Sequence, residues 1–390
     1  MGETFKPATE AALVDCVAWA MQEKAPLELV GRGTKRAIGR PAEAAHRLDL
    51  SGFAGIASYE PEELVLTAGP GTGLAEIEAV LAQRGQHLAF EPPDLSVLLG
   101  GVGSGTLGGA VMGNLAGPRR FAAGAARDHL LGFHGVNGRG EAFKSGGAVV
   151  KNVTGYDLSK LLAGSWGTLA ALTQVTLKVL PRPERVATGV LEGLDAGQAG
   201  DAMRLALGGP HEVSGAAWAG TGEGSALWLR LEGPAPSIAA RAASLETRLA
   251  GIGVPRWLEH EESLDLWRQV RDAAPLTAAP EELVWKVSVP PARGPALVAA
   301  LPEAKALMDW GGGLVWLVLP PSPDAGAARI RAAIAGSGGH ATLIRAPEAL
   351  RRTVAVFEPL APALAALALR VKQGFDPLGL FNPGRLYPGF

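Results

Sequence analysis

The chain has 390 residues, 47% of them hydrophobic and 19% charged, with a net charge of −2. That is enough for two cores rather than one, and it lacks the basic footprint that nucleic-acid binding needs. Its one cysteine, Cys16, excludes a disulfide within the chain and an iron–sulfur cluster held by it alone.

In chain order, Thr9 stands where it would cap a helix over residues 10–22, with Leu13, Val14, Val17 and Met21 on one face. Cys16 within it reads as a small buried hydrophobe. Residues 27–30 form a short strand that feeds a glycine-containing loop. Strands near 48–50 and 64–68 precede a helix over 74–83 and a strand over 87–90. Asn137-Gly138 between residues 130–136 and 139–144 predicts a hairpin with a two-residue turn. Val175, Leu177 and Val179 alternate with polar residues, the period of a half-buried strand, and Pro181 and Pro183 then mark a boundary.

Beyond the boundary, SALWLRLEGPAPSIAARAASLETRLAGIG and GLVWLVLPPSPDAGAARIRAAIAGSGG each read as apolar strand, Pro-rich turn and Ala/Arg helix. They are either two copies of one α+β unit or two Ala-rich helices that merely look alike. A last helix ends at Gly374, and the tail FDPLGLFNPGRL is expected to return to the first domain. The expected domains are 1–183, 184–355 and a returning segment 356–390. The longest apolar run, APALAALALR, is too short to cross a bilayer, and MGETFK carries no signal or myristoylation pattern, so a cytoplasmic location is expected.

Glycines cluster at three places before the boundary. Gly31-Arg32-Gly33-Thr34-Lys35 follows a strand and is either an ordinary tight turn or a backbone cradle for an anion. It is not a Rossmann fingerprint, because Arg36 replaces the third glycine; GRGEAFKS is no Walker loop, because Phe143 replaces a required glycine. Gly105-Thr106-Leu107-Gly108-Gly109, continued by Asn114 and Gly117, is a packing junction or a second ligand loop. Gly164-Ser165 and Gly167-Thr168-Leu169 form the third cluster. Three such clusters suggest a long ligand lying across several loops, and a dinucleotide such as FAD has that length. Arg119-Arg120 is placed to meet a phosphate or a substrate carboxylate. Asp157 reads as a helix cap, Tyr156 as a buried anchor, and His129 and His134 as structural.

The segments GSGTLGG, KNVTGYDL (with Lys151-Asn152) and GSWGTLA resemble the FAD-binding domain of the vanillyl-alcohol oxidase and p-cresol methylhydroxylase flavoproteins. LELVGRGTKRAIGRP and the FDPLGLFNPGRL tail fit the same resemblance, and within that family the chain resembles the FAD-binding E-type subunits of bacterial glycolate oxidases. The resemblance implies an α+β fold: a two-part FAD-binding domain of p-cresol methylhydroxylase (PCMH) type, an α+β cap domain and a C-terminal segment packing back. It implies FAD held by Gly31, Arg32, Gly33, Thr34, Lys35, Gly105, Thr106, Gly108, Gly109 and Asn114. Gly164, Ser165, Gly167, Thr168 and Leu169 would lie on the adenine–ribose side, and Asn382 would approach the flavin ring. No histidine stands in the first loop, so the FAD is expected to be non-covalent. Arg120, Lys372 and Arg385 are candidates for holding a carboxylate or stabilising reduced flavin, with a surface salt bridge as the alternative for Lys372 and Arg385.

Related 2-hydroxy acid dehydrogenases carry a cap-domain HxGDGNxH motif whose histidines bind a metal. Here Trp310-Gly311-Gly312-Gly313-Leu314-Val315-Trp316 stands in its place, so no metal site is expected. The implied role is a flavin-bearing subunit oxidising glycolate to glyoxylate together with a sister FAD-binding glycolate oxidase subunit and an iron–sulfur subunit, with membrane association only through those partners. A stand-alone FAD-dependent hydroxy acid dehydrogenase and a scaffold with a vestigial flavin site remain open.

Overall fold

The computed structural model describes residues 2–101, 103–147, 156–221, 224–276 and 278–390. Thr9 accepts a hydrogen bond from the Ala12 N–H at 3.2 Å, and the helix Glu10–Glu23 follows. It buries Leu13, Val17 and Ala20 on a small parallel sheet of β1 (Thr4–Phe5), β2 (Leu27–Val30) and β3 (His46–Asp49), ordered β1-β3-β2. Next along the chain come β4 (Ile56–Glu60), β5 (Val65–Ala68), β6 (Gln86–His87), β7 (Leu130–Asn137), β8 (Ala142–Gly146), β9 (Ala170–Lys178) and β10 (Leu180–Pro181). Five of these make an antiparallel sheet, β4-β5-β9-β7-β8, while β6 and β10 pair as a short ribbon. The helices Leu74–Ala82 and Leu107–Met112 cover the five-stranded sheet through Ile77, Leu81, Ala110 and Val111.

Two local expectations are corrected. The strand over 87–90 stops at His87, because Glu91 turns at positive φ and its N–H bonds back to the Leu88 carbonyl. The β7–β8 connection is longer than two residues: the Asn137 side-chain oxygen accepts from Arg139 N and Glu141 N, and Gly140 carries the positive φ. Gly138 serves a different purpose. A Cβ there would come within 2.3 Å of the Asp376 carboxylate, so the glycine lets the C-terminal tail approach.

From Arg185 a second, eight-stranded antiparallel sheet begins. It contains β11 (Arg185–Glu192), β12 (Gly215–Thr221), β13 (Gly224–Gly233), β14 (Arg256–Leu258), β15 (Leu283–Ser288), β16 (Lys305–Asp309), β17 (Leu314–Leu319) and β18 (His340–Arg345). Its order, β14-β11-β13-β12-β16-β17-β15-β18, is two βαββαβ units joined edge to edge at β12 and β16. The two Ala-rich copies in the sequence are the corresponding β13–helix and β17–helix pieces of these units. The helices Ala196–Leu207, Ala235–Leu249, Gly294–Ala299 and Ala327–Ile334 cover one face, packed on Leu229, Trp285, Val287 and Leu317. The other face presents Val284, Leu307, Leu314, Trp316 and Val318 to Ile38, Leu95, Leu98 and Ala116 of the N-terminal part.

The helix Pro362–Phe375 leads into the tail, which returns to β2. Leu27 N–H donates to the Leu380 carbonyl at 2.7 Å, and Asn382 N–H to that of Leu27 at 3.0 Å.

Candidate functional site

At the end of β2 the loop Gly31–Lys35 forms one wall of a cleft of about 850 Å³, open mouth included. Pro70, Thr106, Gly108, Gly109 and Met112 form the facing wall, Trp166, Gly167, Ala170 and Leu172 the floor, and Asn382 and Arg385 one end. The tail holds the loop in shape. Arg385 donates to the carbonyls of Lys35 at 2.8 Å, Arg36 at 3.2 Å and Arg40 at 3.3 Å. Burial pushes the Arg385 guanidinium down to about 10. Asn382 accepts from Leu29 N and donates to the Trp166 carbonyl, each at 2.8 Å. Arg36 is spent on Glu28, at 2.7 and 2.8 Å. That leaves Arg32 and Lys35 in the cleft with no hydrogen-bonding or ion-pair partner among the described residues, and burial holds the Lys35 pKa below its ordinary value. The exposed Arg32 and the half-buried Lys35, which feels only the Asp94 carboxylate from beyond ion-pair distance, stand beside glycine backbone and fit a pyrophosphate.

Most of the residues singled out in the sequence meet here. Gly31, Arg32, Gly33, Thr34, Lys35, Thr106, Gly108, Gly109, Gly167 and Asn382 line the cleft. The rest stand behind it. Gly105 leaves room for the Lys35 ammonium, 2.5 Å from where a Cβ would lie. Asn114, at positive φ, accepts from Arg127 N at 3.0 Å, and Gly164 packs on it. Ser165 donates to Met112 Sδ and Thr168 to the Ser165 carbonyl, while Leu169 is buried in the core.

Trp166, Met112 and Leu172 line the cleft without having been singled out. Trp166 adopts a φ of 53°, a strained conformation for a bulky residue, and faces Phe357 and Arg385. Its place inside GSWGTLA was the available signal.

Residues 3–146 match a family described as FAD binding domain. Over 378 residues the chain is 36% identical to the glycolate oxidase subunit GlcE of Escherichia coli strain K12, covering 96% of this chain and 97% of that protein. The chain belongs to the GlcE family of glycolate oxidase subunits. Like others of FAD-linked oxidoreductase type, this GlcE-family chain is a flavoprotein whose cofactor is FAD. It is also 31% identical over 178 residues to the glycolate oxidase subunit GlcD of Bacillus subtilis, covering 45% of this chain and 36% of that one. The fold is that of p-cresol methylhydroxylase, whose substrate-bound structure superposes with a TM-score of 0.72 at 14% identity over 99% of this chain and 88% of that chain.

Several polar candidates of this GlcE-family chain are occupied elsewhere. Lys372 donates to Asp376 at 2.6 Å, to the Thr168 carbonyl at 2.7 Å and to that of Phe381 at 3.0 Å, deep under the tail. Arg119 bonds Glu232 and His87 and lies beside Glu91, which also takes Arg230 at 2.8 Å. Asp157 caps the helix Leu158–Leu162 as expected, but Tyr156 is 91% exposed rather than a buried anchor, because the cap turns the chain with the ring outside. Lys151 and Asn152 lie outside the described residues. His129 is structural, its nitrogens facing the carbonyls of Ala123 and Lys178. Trp310–Gly313 form the tight turn from β16 into β17, to which Leu314–Trp316 already belong, and among the described residues no group of three or more His, Cys, Asp or Glu is arranged to hold a metal.

His87, inside the Arg119 cluster, has its pKa driven down to about 3 by burial first and by Arg119 second. An unfolded chain protonates this imidazole near pH 6.5, so below that pH unfolding takes up a proton that the fold refuses. The group therefore costs stability progressively from about pH 6.5 down to 3, with a slope of at most about 1.4 kcal/mol per pH unit. His87→Gln is expected to flatten the acid limb of the unfolding free energy between about pH 6 and 4 by that amount. Superimposable pH profiles of variant and wild type would show that the folded histidine titrates normally.

Proposed function

We propose that this chain is the FAD-binding subunit of a glycolate oxidase complex, which oxidises glycolate to glyoxylate and passes the electrons through flavin to an iron–sulfur subunit. The observation that carries the reading is a full-length likeness to GlcE combined with a cleft whose unpaired cations and glycine loops suit FAD. Gly31–Lys35 with Thr106–Gly109 would hold the pyrophosphate, Arg32 and Lys35 supplying charge. Gly164, Ser165, Thr168, Leu169, Asn114 and Gly105 would shape the loops behind it, while Trp166 and Gly167 form the floor and Asn382 closes one end. When bound, FAD supplies a two-electron acceptor. Among the described residues the cleft lining contains no His, Cys or Tyr, which supports non-covalent attachment; a flavin that stays with acid-precipitated protein would overturn that point.

Dependence on partners is supported by three features. The single cysteine cannot by itself hold an iron–sulfur cluster. The turn Trp310–Gly312 offers no metal ligand of the kind that polarises a hydroxyl. The helix Pro362–Phe375 turns Leu364, Leu367 and Leu369 to the surface, with Leu378 just beyond, an apolar face suited to another subunit. On this reading residues 1–183 bind FAD, 184–355 form the cap and 356–390 return to the FAD domain.

The test is anaerobic addition of glycolate to the purified chain while flavin absorbance is followed. The expected result is a bound flavin that bleaches only once the sister flavoprotein is added. Prompt bleaching of the chain alone would make it a stand-alone dehydrogenase, and absence of flavin would leave a scaffold. Arg32→Gln with Lys35→Met is expected to weaken flavin affinity at least about tenfold, a cost of about 1.4 kcal/mol, read by titrating FAD into flavin-free protein.

A further inference from the structure

Lys286 occupies the middle of β15. Its neighbours Trp285 and Val287 belong to the helix-covered face and Val284 to the opposite one, so alternation puts Lys286 on the face turned to the N-terminal part. Trp316 on β17 and Thr342 on β18 flank it across the sheet. Its Nζ lies 5.4 Å from the Trp310 ring centre and 5.7 Å from that of Trp316. Arg120 approaches the same Trp310 ring, at 4.7 Å, from the N-terminal part. The ring itself is fixed, because Trp310 Nε1 donates to the Gly117 carbonyl at 2.9 Å.

Among the described residues neither cation has an ion-pair partner or a side-chain hydrogen bond. Burial, and then Arg120, push the Lys286 ammonium down to about 8. Asp309 opposes this shift but is itself pushed up to about 7 by burial, so it is a weak counter-charge near neutral pH. A half-buried lysine at the centre of an apolar sheet face, with the exposed Arg120 guanidinium on the same indole, sets two like charges side by side that an anion between them would bridge.

We propose that Lys286 and Arg120 form a binding subsite for the carboxylate of a short 2-hydroxy or 2-oxo acid, seated against the flat walls of Trp310 and Trp316. The anion site rests on this geometry; the choice of acid rests on the glycolate oxidase reading. The claim is one of binding, made by residues from both halves of the fold, in the part of the molecule that has no histidine motif.

Calorimetric titration of glycolate, glyoxylate and oxalate into the purified chain at fixed ionic strength tests it, on flavin-loaded and flavin-free protein alike. Saturable binding is expected, weakened at least tenfold by Lys286→Met and by Arg120→Gln and largely kept by Lys286→Arg. A second readout separates a ligand-binding lysine from a structural one. Without carboxylate, Lys286→Met is expected to melt at or above the wild-type temperature, since an unpaired, half-buried charge beside Arg120 is gone, and to lose the carboxylate-induced rise. No binding, equal binding of chloride, or variants that bind like wild type would overturn the proposal. A chain that holds flavin and supports the complex but binds no carboxylate sinks this subsite alone. Carboxylate binding to a chain that holds no flavin sinks the functional reading and spares the subsite.

Discussion

Lys372→Met is expected to destabilise the protein by about 3–5 kcal/mol, the usual result of taking one partner from a buried ion pair. Lys372 is 3% and Asp376 1% exposed, and the ammonium's three donors go to Asp376, Thr168 and Phe381. Burial holds the Lys372 pKa below its ordinary value even though Asp376 pulls the other way, so desolvation is the larger force on this ammonium. Methionine fills the space but takes the lysine's donors away from two carbonyls and a buried carboxylate. Asp376 then keeps only the N–H groups of Leu380 and Phe381, at 2.9 and 2.8 Å. The damage should spread, since those residues lead into Asn382, whose side chain ties the tail to Leu29 and Trp166 beside the cleft. Urea unfolding followed by circular dichroism gives the shift in midpoint. Adding Asp376→Asn to the variant should recover part of the loss, because the charge is removed while an acceptor for the tail remains. A Lys372→Met chain that unfolds like wild type yet cannot accept electrons would return the lysine to the chemistry.

What the sequence made legible was local, and what it hid was the company a residue keeps across the fold. Thr9, the spacing of Leu13 and Val17, and the alternation of β9 announce their elements because caps and periodicity are short-range. The glycine loops were readable as loops for the same reason. Gly138 misled, because its need for a bare backbone comes from Asp376 at the other end of the chain rather than from a turn. Arg119 looked free, but its partners Glu91 and Glu232 come from different parts of the fold. Lys286 was overlooked because, in LVWKVS, a lysine at an alternate position reads as the solvent side of a strand, and only the packing of β15 against the N-terminal part makes it a half-buried cation on an inward face. The two βαββαβ units were suggested by their strand–turn–helix texture, while their meeting at β12 and β16 is a matter of tertiary pairing.

Gly108→Val is expected to abolish most flavin binding while the cap sheet stays folded. A Cβ at this position would lie 2.8 Å from Pro70 Cβ and 3.0 Å from its carbonyl oxygen. The Gly108 N–H donates to that same carbonyl at 2.7 Å, and Leu107 N–H to Thr72 at 2.9 Å, so the segment is already drawn tight against the 70–73 loop. Relief requires the helix Leu107–Met112 to move outward, and it carries Gly109 and Met112 of the cleft wall with it. Overpacking of this kind costs about 1–3 kcal/mol, enough for roughly a tenfold to hundredfold loss in affinity if it falls on the bound state. Gly167→Val should act at the opposite wall by two routes: φ is 71°, where a β-branched residue is strained, and a Cβ would meet Asn382 Nδ2 at 2.9 Å. Gly85→Ala is the control, with a φ of 62° but nothing within 4 Å of its Cβ and no place in the cleft. Flavin-to-protein absorbance ratios of the purified variants decide the matter. If the Gly108 and Gly167 variants retain flavin as Gly85→Ala does, FAD lies somewhere other than between these loops.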